Sequence, residues 1–430
     1  MLPPIIEFLS EKSVLILGFG REGRSTYNYI RKYLPEKALT VGDAKEQHVD
    51  DPNLRYLCGE DYLSHVGEFD VVMKSPGISF RDVTVPENTL VTCQTDLFMR
   101  YAPCKKIGVT GSKGKTTTST LIYKMLCAAD IKCELMGNMG LPVFDYIDGM
   151  TEDTTAVIEL SSHQLEFTRS SPDIAVLTNI YEEHLEHYKG GMTGYVNAKL
   201  NIVKHQSENG VFIYNGTQGT EPYFNTDTVK SKKIAVCEDE RLPFEFENIH
   251  LAGVHNRHDI LYAFTAASQL GVTAESAKKA IDDFDGIEHR MEKVGVYKNI
   301  TFYNDCIATI PHAVMCAVAA LNADTLIMGG MDRGLDYSEF AVDLEKSGLS
   351  VIIGTKTTGH KIIDMMTANG TEKTLIKAEN LEEAVKYAYA NTKKNGICIL
   401  SPAASSYNEY KNFEEKGRRY KELVRMKGEE

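Results

Sequence analysis

The nine cysteines contain no C-x-x-C pair; they stand singly at Cys58, Cys93, Cys104, Cys127, Cys133, Cys237, Cys306, Cys316 and Cys398, and their number is odd. That pattern excludes a zinc-ribbon or disulfide framework and leaves reduced thiols, most of them small core residues. Long apolar runs are missing too: none approaches the roughly 18 residues of a membrane span. The opening stretch MLPPIIEFLSEKS lacks a basic start followed by a long apolar core, so no secretory signal is expected. Positive charge is in deficit, with 47 Lys and Arg against 60 Asp and Glu and a net charge of −13. A broad nucleic-acid surface is therefore not expected, although a local basic pocket for an anionic small molecule fits. No H-E-x-x-H is present, because His184 and His187 are wrongly spaced, and a zinc-protease reading falls.

What remains is a soluble, globular composition, 43% hydrophobic and 25% charged, in a chain long enough for two to four domains. Short apolar runs alternate with helical stretches. SVLILGFG, ALTVGD, LRYLC, DVVMKSPGI and TLVTC read as strands, with REGRSTYNYIRKYL as a helix between the first two. After a linker at Tyr101-Ala102-Pro103-Cys104 come strands at KKIGVTG, KCELMG, TTAVIEL, DIAVLTNI and GVFIYN. Helices follow at TTTSTLIYKMLCAAD, HDILYAFTAASQLG and TAESAKKAIDDF. A third set, ITFYND, TLIMGG, SVIIG and GICILSP, begins near Glu288, and the tail NEYKNFEEKGRRYKELVRMKG reads as an amphipathic helix. The expected fold is α/β, in three domains with parallel sheets and joints near 103 and 288.

Several motifs carry chemistry. Gly18-Phe19-Gly20-Arg21-Glu22-Gly23 fits G-x-G-x-x-G between a strand and a helix, and Asp43 ends the next strand. The glycines let backbone N–H groups approach a pyrophosphate, without saying which nucleotide carries it; a nicotinamide dinucleotide is one reading. GVTGSKGKTTT, residues 108–118, ends like a phosphate loop at Gly114-Lys115-Thr116, but Val109 stands where the usual pattern has its first glycine. Its position between an apolar strand and a helix predicts a variant loop. Lys115 would meet the β- and γ-phosphates and Thr116 would ligate Mg²⁺. Glu159 ends an apolar strand and is placed for a metal; VLTNIYEEHLEHY runs from another strand end into Glu182-Glu183-His184. In the third set, Asn304, Asp305 and Thr309, the run Gly329 to Gly334, and Ser401 to Ser406 each follow a strand. Ligands of open α/β sheets bind at such ends.

Taken together, GVTGSKGKTTT, GNMG, ELSSHQLE, TNIYEEHLEHY, NAKL, GVHNRHD, EHRMEKV, NDCIAT, GGMDRGLDY and LSPAASSYNEYKNFEEKG resemble the Mur ligase family over nearly the whole chain, in the family's order. The resemblance implies a Rossmann-like UDP-sugar domain at 1–103, a central P-loop ATP-binding domain at 104–288 and a Rossmann-like amino-acid-binding domain at 289–430. It implies ATP-dependent addition of D-glutamate to UDP-N-acetylmuramoyl-L-alanine through an acyl phosphate, by a cytoplasmic monomer with no membrane or nucleic-acid partner. The first glycine motif would then hold a UDP pyrophosphate, with Gly18, Gly20, Arg21, Gly23, Asp43, Ser75, Pro76, Gly77 and Asn138 on that side. ATP would meet Gly111, Ser112, Lys113, Gly114, Lys115, Thr116, Thr117, Asn256, Arg290 and Asp305. Two Mg²⁺ ions would fall to Thr116, Glu159, His184 and a carbamylated Lys199, and the amino acid to Thr309, Arg333, Ser406 and Phe413. Ile307 and Arg333 depart from the family's usual lysines, His163 from a phenylalanine and Ala404 from a cysteine. These departures bear on which amino acid is added, a paralogue using L-glutamate being the alternative. A dehydrogenase leaves Lys115 unexplained, a motor-type P-loop NTPase would end its strand in Asp rather than Glu159, and a folylpolyglutamate-synthetase-like ligase lacks the glycine-rich first domain.

Overall fold

The computed structural model describes residues 2–430 except 47–48, 139–140, 219–222, 224–228, 238, 249–250, 252–253, 333–334 and 407–408, and only the backbone at 254–255. The chain forms three sheets. The first holds β1 (Val14–Leu17), β2 (Leu39–Asp43), β3 (Leu54–Cys58), β4 (Val71–Lys74) and β5 (Leu90–Thr92), all parallel, in the order β3-β2-β1-β4-β5. The second holds β6 (Lys105–Thr110), β7 (Cys133–Gly137), β8 (Thr155–Glu159), β9 (Ile174–Leu177), β10 (Val211–Asn215) and β11 (Lys232–Val236), again all parallel, in the order β11-β10-β9-β6-β8-β7. The third holds β12 (Glu292–Tyr297), β13 (Ile300–Asn304), β14 (Thr325–Gly330), β15 (Val351–Thr357), β16 (Thr374–Ala378) and β17 (Ile397–Leu400), in the order β12-β13-β17-β14-β15-β16. Only the β12–β13 pair is antiparallel.

The central strands are mostly apolar because both faces of a parallel sheet are covered. Alternation still sorts their side chains: Ile16 joins one core while Leu15 and Leu17 join another. Leu326 and Met328 likewise separate from Ile327 across the third sheet. The first two sheets lie in one compact unit, Met1–Phe284, and the third forms a second, Asp285–Glu430. No described helix is long and apolar enough to cross a membrane.

Three strands were not legible in the sequence. β11 and β16 are sheet edges, half of whose residues stay open to solvent, so neither is a plain apolar run. β12 turns into β13 through Lys298 and Asn299, both at positive φ (+50° and +61°), a two-residue hairpin without the Asn-Gly signature. The terminal helix runs over Phe413–Glu429, with Asn412 Oδ1 accepting from Glu415 N (2.9 Å) as its cap. It buries Lys416, Gly417, Tyr420, Leu423 and Val424, one face at helical spacing.

Each sheet has a strand from which the order runs both ways, and the chain's glycines and polar clusters gather there. In the first sheet the helix Arg21–Tyr33 rises from the loop after β1. Gly23 packs so closely that a Cβ would collide with the Gly18 carbonyl oxygen. In the third sheet Asp305, just past β13, ties two strand ends together. Its carboxylate accepts from Ser401 Oγ (2.8 Å), past β17, and from Met291 N (3.2 Å). Burial pushes this carboxyl from 3.8 up to about 6, against the pull of Ser401, Met291 and Arg290.

Between those two values the folded chain keeps a proton that the unfolded chain has released, so stability falls as pH rises from about 4 to about 6. Asp305→Asn, which can still bond Met291 N and Ser401, is expected to lose that slope. Its thermal-unfolding midpoint should gain on the wild type across this window and run parallel to it above. A midpoint difference equal at pH 4 and pH 7 would show that the carboxyl titrates normally.

Candidate functional site

The phosphate loop follows β6 and is clamped from the end of β9. Gly111 has φ +153°, and a side chain there would strike the Thr178 hydroxyl. Thr178 Oγ1 and Asn179 Nδ2 both donate to the Lys113 carbonyl (2.6 and 3.0 Å), and Lys113 N donates to Asn179 Oδ1 (2.8 Å). Buried Ser112 faces the Tyr195 hydroxyl (2.6 Å), accepts from Tyr181 N (2.8 Å) and donates to the Tyr181 carbonyl (3.0 Å). Gly114 caps the helix Lys115–Ala128, whose first N–H groups have no partner within the helix. Thr116 and Thr117 lie in its first turn, and Asp259 accepts from Thr118 Oγ1 (3.2 Å) one turn along. Lys113 reaches outward to Glu183 (2.8 Å).

Two cations meet on one oxygen of this loop. Lys115 Nζ folds back onto the carbonyls of Gly111 and Ser112 (2.9 Å each), and Lys199 Nζ donates to the same Gly111 carbonyl (2.8 Å). Lys199 sits in the helix Met192–Lys204 and is 1% exposed. Burial first, and then the Lys115 charge, push its ammonium well below the ordinary lysine range. Glu159, the last residue of β8, is 2% exposed. Its Oε1 accepts from Asn138 Nδ2 (2.8 Å), while its Oε2 is buried without a partner. A buried carboxylate oxygen left open costs free energy unless a cation meets it, so the donor set fits a magnesium ion.

His184 is exposed at φ +55° and opens the turn Leu185–His187. His163, at a position the sequence marked as unusual, lies 5.0 Å from His184 and 4.1 Å from His187 between ring centres. Its buried Nε2 has no partner, and burial and the two neighbouring imidazoles push it down to about 3. His187 Nε2 and Lys74 Nζ both approach Glu166 Oε2, at 3.3 Å each. Glu22, inside the first glycine motif, accepts from Gln164 Nε2 (2.7 Å) and is pushed up to about 7 by burial. None of Lys74, Glu166 and Asp259 was singled out from the sequence; the first precedes Ser75-Pro76-Gly77, and the others lie within ELSSHQLE and GVHNRHD.

Around the first sheet, Gly18, Gly20, Arg21 and Gly23 form the turn into the helix, and Ser75 Oγ donates to the Gly18 carbonyl (2.9 Å). Asp43 is committed to this turn: its Oδ2 accepts from Phe19 N (2.7 Å) and its Oδ1 from Lys45 N (2.9 Å). Beyond Pro76 and Gly77, Ser79 Oγ donates to the His187 carbonyl (2.8 Å) and Arg81 Nη1 to the Glu186 carbonyl (3.2 Å). The loop after Ser75 therefore buttresses the turn that carries His184.

Lys115, Glu159, His184, Lys199, Asn138 and Asn256 lie in the first unit, while Arg290, Asp305, Thr309, Ser406 and Phe413 lie in the second. Arg333 falls outside the described residues. Arg290 is exposed and Thr309 and Ile307 are half-buried; Ser406 is buried with no partner for its Oγ. Phe413 packs edge-on to His289 (5.9 Å). Lys416, missed in the sequence, is buried and donates to the Gly329 carbonyl (2.7 Å). Glu288, His289 and Glu292 cluster closely enough to ligate a metal. Lys421 already pairs with both carboxylates at 2.7 Å, and His289 Nδ1 faces Asn304 (2.9 Å), so each member of the cluster has a partner within the protein.

Comparison with known proteins follows the same geometry. Residues 109–258 match the Mur ligase middle domain and residues 289–404 the Mur ligase glutamate ligase domain. The UDP-N-acetylmuramoylalanine--D-glutamate ligase of Acetivibrio thermocellus is 33% identical over 97% of both chains, and that of Clostridium acetobutylicum 32% over the same shares. The fold is shared with UDP-N-acetylmuramate-alanine ligase MurC of Thermotoga maritima (15% identical, TM-score 0.58, 97% of this chain and 100% of that one). It is shared also with the MurF ligase of Thermotoga maritima solved with ADP (15%, TM-score 0.57, 98% and 96%). A phosphate loop of this spacing, a buried lysine on its carbonyl and relatives matched from end to end leave one assignment: the chain belongs to the Mur ligase family, whose members form amide bonds at the expense of ATP.

Proposed function

We propose that this chain adds D-glutamate to UDP-N-acetylmuramoyl-L-alanine, consuming ATP, as a cytoplasmic and monomeric step of peptidoglycan precursor synthesis. The observation that carries the reading is the meeting of Lys115 and Lys199 on the Gly111 carbonyl within a clamped phosphate loop. The relatives above bear the name of that reaction.

Residues 1–103 would bind the UDP-sugar, 104–288 ATP and 289–430 the amino acid. The substrate carboxylate attacks the γ-phosphorus of ATP, which releases ADP and leaves an acyl phosphate. The amine of the incoming amino acid then adds to the acyl carbon, and phosphate leaves from the tetrahedral intermediate. Such chemistry needs positioning and neutralisation of phosphate charge more than covalent help. Lys115 and the N–H groups at the start of its helix supply both, and Asn138 orients Glu159. Mg²⁺, when bound, neutralises phosphate oxygens, and Thr116, Glu159, His184 and a carbamylated Lys199 are the residues that would hold it.

A carbamate forms from an uncharged amine and CO₂, and the depressed Lys199 supplies that amine. The modified side chain keeps an N–H for the Gly111 carbonyl and places an anion beside the Lys115 ammonium. Gly18, Gly20, Arg21, Gly23, Ser75, Pro76 and Gly77 would hold the UDP pyrophosphate, with Asp43 shaping the turn near the uridine. Asn256, Arg290 and Asp305 would take the adenine, phosphate and ribose of ATP. Thr309, Arg333, Ser406 and Phe413 would receive the amino acid, Arg333 and the hydroxyls suiting a dicarboxylate. One observation favours a second reading: Ile307 brings no cation where the family usually carries lysine, so a paralogue using another amino acid is the rival.

The deciding measurement is phosphate release with UDP-N-acetylmuramoyl-L-alanine, ATP and a panel of amino acids led by D-glutamate and L-glutamate. D-Glutamate is expected to dominate; preference for another member transfers the assignment to the rival, and a flat response removes both. Lys115→Ala is expected to lower ligation by at least a hundredfold, about 3 kcal/mol of transition-state stabilisation, while UDP-sugar binding stays measurable by calorimetry. Near-normal turnover would rule out its phosphate role. Lys199→Ala is expected to lose activity that millimolar formate or acetate partly restores, whereas loss beyond rescue would count against the carbamate.

A further inference from the structure

The helix that begins at the phosphate loop ends in a second piece of chemistry that the ligase reaction leaves unused. The helix Lys115–Ala128 stops where Asp130 takes φ +56° and Ile131 N donates back to the Leu126 carbonyl (3.0 Å). This turn sends the chain into β7, an edge strand of the second sheet that begins at Cys133. The reversal stacks Cys133 on the last turn of the helix. Its Sγ lies 3.6 Å from that of Cys127 and 3.8 Å from the Tyr123 carbonyl, one turn earlier. Cys127 is exposed and Cys133 half-buried, so a small molecule reaches the pair. No second pair of thiols in contact occurs among the described residues. Cys93, Cys104, Cys306 and Cys398 are buried, Cys58 and Cys316 are exposed and Cys237 is half-buried, none with a thiol partner.

We propose that Cys127 and Cys133 are a dithiol modification site, at which a low-molecular-weight disulfide oxidises the folded protein to an internal Cys127–Cys133 disulfide. The Cys127 thiolate, the more accessible sulfur, attacks one sulfur of the disulfide RSSR; a protein–SR bond forms, and the other half leaves as RS⁻ and takes up a proton. Cys133 then loses its proton and attacks Cys127 Sγ, expelling the second RSH. Two thiols are oxidised and one RSSR is reduced to two RSH, so atoms and electrons balance. Burial and the adjacent Cys127 hold the Cys133 thiol above the usual range, so Cys127 is the first to attack, and the position of Cys133 Sγ, 3.6 Å from Cys127 Sγ, is what favours the second, intramolecular step. Forming the disulfide closes the 3.6 Å between the two sulfurs to a bond of about 2.05 Å. The site is independent of the substrate assignment above.

The test uses the full chain with Cys58→Ser, Cys237→Ser and Cys316→Ser, so that the other cysteines left are buried. Folded protein is treated with oxidised glutathione, remaining thiols are alkylated, and tryptic peptides are mapped without reduction. Trypsin cuts after Lys124 and Lys132, so the two cysteines fall on separate peptides, MLCAADIK and the one starting at Cys133. The expected result is one linked pair in most of the protein, separated by reduction. In the Cys133→Ser variant a stable glutathione adduct on Cys127 should accumulate instead. A lasting adduct on Cys127 of the parent protein, with MLCAADIK running free, overturns the proposal, as does linkage that forms only in urea. Should Cys133→Ser fail to fold, the map of the parent protein decides alone.

Discussion

Two lysines on one carbonyl oxygen is an arrangement that a folded chain keeps only when the surroundings hold it there. Lys115 is fixed by the turn into its helix, and Lys199 is fixed by burial in another helix. Neither can leave without abandoning the loop that both close. Burial first, and then the Lys115 charge, push the Lys199 ammonium below the ordinary lysine range. The clamp by Thr178 and Asn179 on the Lys113 carbonyl and the hydroxyl pair of Ser112 and Tyr195 hold the loop, and Glu159 keeps a buried oxygen open.

Strand order places these groups. β6 lies between β9 and β8, so the residues just past the three strands, Gly111, Thr178 and Glu159 at the end of β8, converge at one edge of the sheet. The third sheet repeats the device with β13 and its neighbour β17, whose ends bring together Asp305 and Ser401. In each case apolar strands fix the ends rigidly, and polar residues that would be costly inside the sheet occupy the positions just beyond it.

Much of this was legible in the chain. Apolar runs bounded by glycine revealed the buried strands, and Gly114-Lys115-Thr116 revealed the loop despite Val109. The edge strands β11 and β16 were hidden because half-exposed residues blur the apolar signal, and β12 because Lys298-Asn299 carries no glycine. Lys199 could be reached only through the NAKL resemblance, since a lysine in an ordinary amphipathic helix announces nothing about its burial. The Lys74–Glu166–His187 cluster joins Lys74 to two residues roughly a hundred positions further along the chain, a pairing that local pattern cannot contain. Asp43 was expected on the UDP side of the first glycine motif; its carboxylate accepts from the backbone N–H groups of Phe19 and Lys45, a role that no sequence pattern announces.

The two bonds from Ser79 and Arg81 to the carbonyls of His187 and Glu186 bear on how this chain can be divided. The segment expected to bind the sugar nucleotide also supports the turn presenting His184. A chimaera that exchanged residues 1–103 for those of another ligase would carry a foreign buttress beneath a native turn. The natural unit of recombination is therefore the first domain together with the 184–188 turn, and the boundary visible in the chain's connectivity is not the boundary of its working parts.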